Sequence, residues 1–108
     1  MKVEEFAELI NGKIKSISGS QNEITSGFTC DLLSWVMGRA SQDNAWITIM
    51  SNRNIVAVAT LADTACIVLA EGVAPDEGVA QLATDKGVNI LQSPHSAYEI
   101  ALSLRDAL

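Results

Sequence analysis

The segments A-W-I-T-I-M (45–50), A-C-I-V-L-A (65–70) and V-N-I-L-Q (88–92) decide the fold of this chain. Each is a short apolar run that leads into a small polar turn and then into a stretch with helical patterning. Strands that alternate with helices form parallel sheets, and strands buried on both faces are continuously apolar. The order therefore predicts an α/β fold in which helices cover a parallel sheet, with ligands bound beyond the carboxyl ends of the strands.

The composition is that of one small folded domain. The chain has 108 residues, of which 48% are hydrophobic and 19% are charged, and its net charge is −6. We expect a single domain over residues 1–108. The seven lysines and arginines are scattered along the chain, whereas nucleic acids and anionic membranes are bound by clustered cations, so neither is an expected partner.

Targeting and metal-binding patterns are missing from the sequence. The N-terminal residues 2–6 (K-V-E-E-F) lack the apolar core of a signal peptide, and no apolar run approaches the roughly 20 residues that cross a bilayer. The two cysteines, Cys30 and Cys66, have neither metal-ligand spacing nor the number expected of a disulfide framework. These patterns predict a cytoplasmic protein without a metal or a cofactor.

The N-terminal half shows weaker patterns. Apolar residues at helical spacing predict a first helix over Lys2–Asn11, and residues 14–17 suggest a half-buried strand. Residues 18–22 have the composition of a loop, and Ile24-Thr25 is expected to open a second strand that closes at residues 26–27.

A second helix is expected from Cys30 to Arg39. Thr29 would be its N-cap, and Asp31 would lie in its first turn, where a carboxylate interacts favourably with the helix dipole. Residues 32–37 are apolar around most of the helix circumference. This pattern predicts burial on more than one side.

Patterns in the second half are clearer, with one exception. The run 55–62 (I-V-A-V-A-T-L-A) fits either a strand or a buried helix, and periodicity alone does not decide between them. Pro75 suits the first turn of a fourth helix, which ends at Gly87. Ser93 is expected to cap the last helix, with Pro94 at its first position.

Five residues in the turns that follow these strands are candidates for ligand binding. Arg53 could clamp a phosphate or carboxylate, and Gly72 could allow a ligand to approach the backbone closely. Ser93 and Ser96 offer hydroxyl and N–H groups, and His95, the only histidine, could donate to a ligand or transfer a proton. Each also has an ordinary structural interpretation, as a solvated arginine, a turn glycine, a helix cap or a surface histidine.

Catalytic sequence motifs are missing. The chain has no phosphate-binding loop of the G-x-x-x-x-G-K-[ST] type, no dinucleotide-binding G-x-G-x-x-G and no G-x-S-x-G elbow. Cys30 would be a reactive thiol if it began a helix, but a small buried side chain is the stronger interpretation, and Cys66 is expected in the core. No catalytic residue is therefore assigned.

The stretch C-D-L-L-S-W-V-M-G (30–38), together with the strand segments above, N-I-V-A-V-A (54–59) and S-P-H-S-A-Y-E-I-A (93–101), resembles a stand-alone DRTGG domain. Such domains are similar to the N-terminal domain of HPr kinase/phosphorylase, but the kinase half with its phosphate loop is missing, so the resemblance does not imply a serine kinase. It implies a three-layer α/β/α fold with a mostly parallel sheet, and a helix at 55–62.

The resemblance also implies a regulatory or ligand-sensing role, because related domains are attached to CBS pairs and to phosphate acetyltransferases. Small stand-alone members are associated with hydrogenase and other redox proteins. A Gly-Asp-Arg-like turn of many members falls at residues 51–53, where only Arg53 is retained. Their Gly-Gly turn falls at Glu71-Gly72, and the glutamate adds negative charge where an anion would bind.

Three hypotheses follow. The first is a non-catalytic module that binds a small anionic metabolite or nucleotide through Arg53, Gly72, Ser93, His95 and Ser96. The second is a pure protein–protein interaction module, expected to be a homodimer because the helices at 32–37 and 55–62 are so apolar. The third, an enzyme that uses Cys30 or His95, has the least support.

Overall fold

A computed structural model describes residues 1–18 and 22–108. The helices are α1 (Val3–Leu9), α2 (Leu33–Arg39), α3 (Asn54–Ala62), α4 (Val79–Lys86) and α5 (Ala97–Ala107). The strands are β1 (Lys13–Ser16), β2 (Ser26–Thr29), β3 (Asn44–Thr48), β4 (Cys66–Leu69) and β5 (Ile90–Gln92). Most of the predicted loop at 18–22 lies outside the described residues. No described helix is long and apolar enough to cross a membrane.

All five strands form one sheet in the order β1-β5-β4-β3-β2. Strands β2, β3, β4 and β5 are parallel to their neighbours, and β1 is antiparallel to β5. The mostly parallel sheet is therefore confirmed, and the ambiguous run at 55–62 is helical. Each parallel strand is connected to the next by one helix, so the turns after β3, β4 and β5 share the carboxyl edge.

Helices cover both faces of the sheet, which gives the three-layer α/β/α architecture. Because side chains alternate along a strand, Cys66 and Val68 join the core under α1 and α5, whereas Ile67 and Leu69 join the core under α2, α3 and α4. The central strands are buried on both faces, and this explains their continuously apolar sequences.

The second helix begins later than predicted. Thr29 is the last residue of β2, paired with Ile47, and the Cys30 N–H donates to the Ile47 carbonyl at 3.3 Å. The hydrogen-bond ladder of the sheet thus keeps the backbone extended through these residues, and Thr29 does not cap the helix. Strand β2 likewise begins at Ser26, where the sequence analysis expected a strand to close.

Helix α2 is also less buried than its composition predicts. Val36 is its only buried residue, whereas Leu32, Trp35 and Met37 are 55%, 52% and 50% exposed. The helix covers the sheet with one side, and its other apolar side chains face solvent.

Two other helix starts differ from the expectation. Helix α4 begins at Val79 after Gly78, whose positive φ of 83° favours glycine, so Pro75 lies before the helix. Helix α5 is capped by Ser96, whose Oγ accepts from the Glu99 N–H at 3.1 Å. Glu99 in turn accepts from the Ser96 N–H, which completes a capping box. Ser93 is therefore not the cap, and Pro94 is not in the helix.

Candidate functional site

The carboxyl edge of the sheet brings the candidate turns side by side. The strand order places the turn after β4 between the turn after β5 and the turn after β3. Gly72 follows β4, Ser93 and His95 follow β5, and Arg53 follows β3. The candidate turns therefore share one edge of the sheet, as the sequence predicts. Arg53, however, lies apart from the turns that contain Gly72, Ser93 and His95.

The turns after β4 and β5 are held together by main-chain hydrogen bonds. The N–H groups of Glu71 and Gly72 donate to the carbonyls of His95 and Ser93, each at 2.8 Å. Gln92 adds a side-chain bond from Nε2 to the Gly72 carbonyl at 3.0 Å. Both N–H groups of the turn already donate to carbonyls, so they are not available to bind an anion. Gly72 therefore allows the turn its conformation but offers no N–H donor to a ligand.

Both residues of this turn adopt left-handed backbone conformations. Gly72 has a φ of 72° and Glu71 a φ of 60°. Glycine adopts this conformation freely, whereas a glutamate there is strained. The turn therefore needs the glycine that is present, and it carries strain at the position where the resemblance predicts a second glycine.

A cleft of about 300 Å³ adjoins this turn and contains a cation that the sequence analysis missed. Its lining includes Lys13, Gly72, Gln92 and Pro94, with Asn11 and Gly12. Lys13 is opposite Gln92 in the antiparallel pair of β1 and β5, which places Lys13 at the carboxyl edge of the sheet. The sequence of residues 13–17 does not indicate this position of Lys13, because the position depends on the pairing of β1 with the distant strand β5.

Arg53 lies on the other side of the β4 turn. It is an exposed residue immediately before α3, and it lines two clefts between α3 and α4. The larger, of about 500 Å³, includes Leu61, Leu82 and Lys86, and the smaller includes Glu77. Neither of these clefts is lined by Gly72, Ser93, His95 or Ser96.

The two candidate serines have structural partners. Ser93 is fully buried, and its Oγ donates to the Ile10 carbonyl at 2.6 Å and accepts from the His95 N–H at 3.1 Å. Ser96 caps α5 through its Oγ. The hydroxyl of Ser93 joins the end of α1 to the turn after β5, so both serines stabilise the edge of the sheet.

His95 is partly buried beside the start of α5. The pKa of the nearby Glu99 carboxyl is lowered, first by the hydrogen bond from the Ser96 N–H, then by the Ser96 side chain, and also by attraction to His95. The imidazole therefore lies near an ionised carboxylate at the edge.

Asp31 has a role different from the one expected in a helix. Its Oδ1 accepts from the Thr48 hydroxyl at 2.8 Å and from the Ile49 N–H at 3.0 Å. The carboxylate therefore joins the residues that follow β2 to the end of β3. It stabilises the carboxyl edge at the side away from Lys13.

The cysteines are far from a shared catalytic arrangement with His95. Cys66 is buried in β4, and burial raises the pKa of its thiol to about 12. Cys30 follows β2 and His95 follows β5, and these strands are separated by β3 and β4, about 14 Å at the usual strand spacing. Within residues 1–18 and 22–108, no three His, Cys, Asp or Glu side chains could together hold a metal ion.

The family model of the DRTGG domain matches residues 7–107. The chain belongs to the DRTGG domain family. This confirms the resemblance carried by residues 30–38 and by the strand segments. No curated protein matches the chain.

A solved structure shows the same fold as this DRTGG domain. It comprises the CBS and DRTGG domains of the regulatory region of Clostridium perfringens pyrophosphatase, in complex with the activator diadenosine tetraphosphate. The TM-score is 0.74 at 12% sequence identity. The match covers 94% of this chain and 46% of that one, so the chain spans about half the length of its structural neighbour.

Proposed function

We propose that this DRTGG domain is a non-catalytic regulatory module that binds a small anionic ligand, such as a nucleotide, at the carboxyl edge of the sheet. Family membership and a structural neighbour from a regulatory region with a bound nucleotide activator support a regulatory role. The ligand would act by binding one state of the domain, or of a partner protein, more tightly than another.

One observation carries the proposal: two cations lie on either side of the β4 turn at the carboxyl edge. Lys13 is on β1 and Arg53 follows β3, and β5 and β4 lie between them. At about 4.8 Å per strand, the two positions are about 14 Å apart across the sheet. An elongated ligand with several phosphates fits this separation better than a single phosphate does, with Gly72 below its centre and His95 beside it.

The acidic groups at this edge restrict which ligands fit. Glu71 lies in the turn between the two cations, and Glu77 lines the small cleft at Arg53. The site would therefore attract anionic groups at its two ends and repel them at Glu71. This charge pattern favours a ligand whose phosphates can reach the cations while a neutral part passes the glutamate.

A role without catalysis agrees with the positions of the reactive side chains. A nucleophile and its base must lie within hydrogen-bonding distance, whereas Cys30 and His95 follow strands about 14 Å apart. Ser93 is buried with its hydroxyl bonded to the backbone, and it is not available for attack.

A thermal-shift screen tests ligand binding. The probes are inorganic phosphate, acetyl phosphate, AMP, ATP and diadenosine tetraphosphate. We expect the elongated polyphosphates to raise the melting temperature, and Arg53→Ala or Lys13→Ala to reduce the shift. Lys15→Ala and Arg105→Ala are matched controls, because Lys15 is further along the same strand and Arg105 lies at the far end of α5. Equal shifts in all four variants, or no shift with any probe, would contradict the proposal.

A second function, self-association, is favoured by the exposed apolar side chains at α2. Trp35 and Met37 on this short helix, and Leu32 at its N-cap, are each about half exposed, and the Arg39 guanidinium stacks on the Trp35 ring at 4.0 Å. The apolar residues of α3 are mostly buried in the core. Self-association is therefore supported by α2 and not by α3. Light scattering tests it, because a monomer at high micromolar concentration would exclude a homodimer.

A further inference from the structure

The two edges of the sheet differ in their protection against further strand pairing. On β1, Lys13 and Lys15 are exposed, and the register with β5 shifts between Ile14 and Ser16. Charged residues, lysine above all, and bulges on an edge strand oppose the addition of another strand. The β1 edge therefore carries two of the features by which proteins prevent edge-to-edge association.

The β2 edge has neither of these features. Its sequence S-G-F-T has no charge and no proline, and its register with β3 is regular. The residues from Ile24 to Cys30 are uncharged in a chain whose net charge is −6. A second copy of the chain would therefore meet no like charge along this strand.

The two acidic residues that flank this neutral stretch already have partners. Glu23 forms ion pairs with the N-terminal amine at 2.7 Å and with the Lys2 ammonium at 3.0 Å. Asp31 accepts hydrogen bonds from the Thr48 hydroxyl and the Ile49 N–H. The charge of Glu23 is thus paired with two cations, and the Asp31 carboxylate is held at the end of β3 by hydrogen bonds within the chain.

The backbone of β2 offers hydrogen-bonding groups on its outer side. The Cys30 N–H donates to the Ile47 carbonyl on β3. Because alternate residues of a strand direct their N–H and C=O groups to the same neighbour, Phe28 also faces β3. Gly27 and Thr29 then direct their N–H and C=O groups away from the sheet.

We propose that a second copy of this chain pairs with β2 in antiparallel orientation, through a two-fold axis at Phe28. Gly27 of each copy would exchange both main-chain hydrogen bonds with Thr29 of the other, and the two Phe28 residues would be directly opposite. The strand is self-complementary in this register, so the two sheets would become one continuous sheet. The inference rests on the self-association named above and gives it a specific interface.

The surroundings of β2 favour a second copy over a foreign basic partner. On one face, α2 is the outermost helix and exposes Leu32, Trp35 and Met37. On the other, a groove of about 360 Å³ is lined by the strand together with Leu104, Arg105 and Leu108 of the C-terminal region. Arg105 adds a positive charge to this rim, and β2 itself carries no carboxylate, so the strand offers no acidic side chain to a basic partner drawn by the net charge of −6.

The test compares substitutions at Thr29, an exposed residue of β2 whose N–H points away from β3. Thr29→Pro removes an N–H that β3 does not use, and Thr29→Lys places a charge on the edge. Gly27 is left unchanged, because a Cβ there would lie 2.6 Å from Leu104 Cδ2 and disturb the core. Gln42→Lys, in an exposed loop, is the control for the added charge.

We expect sedimentation equilibrium to show a wild-type dimer, a dissociation constant raised at least about tenfold in both Thr29 variants, and no change in Gln42→Lys. Amide exchange measured by NMR provides an independent readout that needs no substitution. The Gly27 and Thr29 N–H groups should exchange more slowly as the wild-type concentration rises, whereas the Ile14 N–H on the opposite edge should not respond to concentration.

The outcomes distinguish a dimer that pairs through β2 from a dimer that uses another surface. A dimer that is unaffected at Thr29 but lost in Trp35→Ala would overturn the β2 interface and leave a homodimer that uses α2. A wild-type monomer at several hundred micromolar would overturn both. Exchange at Gly27 and Thr29 that is independent of concentration in a dimeric sample would also overturn pairing through β2.

Discussion

Replacing Ser93 with alanine tests whether this serine binds a ligand or stabilises the fold. The Ser93 side chain is fully buried, donates to the Ile10 carbonyl at 2.6 Å and accepts from the His95 N–H at 3.1 Å. Ser93→Ala leaves a buried carbonyl at the end of α1 without this donor, and a buried unsatisfied group costs about 1–3 kcal/mol. We expect the free energy of unfolding to fall by about 2 kcal/mol, which lowers the melting temperature by about 10 °C.

Chemical and thermal unfolding followed by circular dichroism measures this effect. Ser34→Ala is the matched control, since Ser34 is exposed on α2 and its replacement should change stability by less than about 0.5 kcal/mol. Ser96→Ala, which removes the α5 cap, should have an intermediate effect of about 1 kcal/mol. If Ser93→Ala were as stable as Ser34→Ala but lost ligand binding, the structural role argued for Ser93 would be refuted.

Three further predictions concern the turn after β4, the acid stability and the thiols. Glu71→Gly should relieve the strain at a φ of 60° and leave stability equal or up to about 1 kcal/mol higher in urea unfolding, whereas Glu71→Ala should not gain. The pKa of Glu99 is lowered in the folded state, so its contribution to stability is present above its ordinary value near 4.5 and is lost as the pH falls through the folded-state pKa. In Glu99→Gln, the free energy of unfolding should accordingly decrease less steeply below about pH 4.5 than in the wild type. An unchanged pH dependence in that range would disprove this role of Glu99. Since burial raises the pKa of Cys66 to about 12, iodoacetamide at pH 8 should label Cys30 first and Cys66 only on unfolding, as read by mass spectrometry.

The sheet could be predicted because its central strands carry the information in their own sequences. A run such as 65–70 has no polar face, and only a strand or helix covered on both sides accepts it. The start of α5 could also have been found, since Ser96 and Glu99 form the Ser-x-x-Glu pattern of a capping box. Pro94 instead favours Ser93 as the cap, because proline is common at the first position of a helix.

Other features depend on contacts between distant parts of the chain. Lys13 reaches the carboxyl edge only because β1 pairs antiparallel with β5. The exposure of Trp35 depends on which elements cover α2, and nothing in residues 32–37 indicates this. The candidate ligand residues Arg53, Gly72 and His95 lie at the predicted edge, whereas the hydroxyls of Ser93 and Ser96 are engaged in the structure itself.

The most direct measurement is a calorimetric titration of diadenosine tetraphosphate into the wild-type domain and into the Lys13→Ala, Arg53→Ala and double variants. The account predicts saturable binding that weakens at least about tenfold in each single variant, as expected for the loss of one charge-assisted hydrogen bond, and further in the double variant. Lys15→Ala should bind as the wild type does. Saturable binding that all the variants retain unchanged would contradict a ligand held between Lys13 and Arg53.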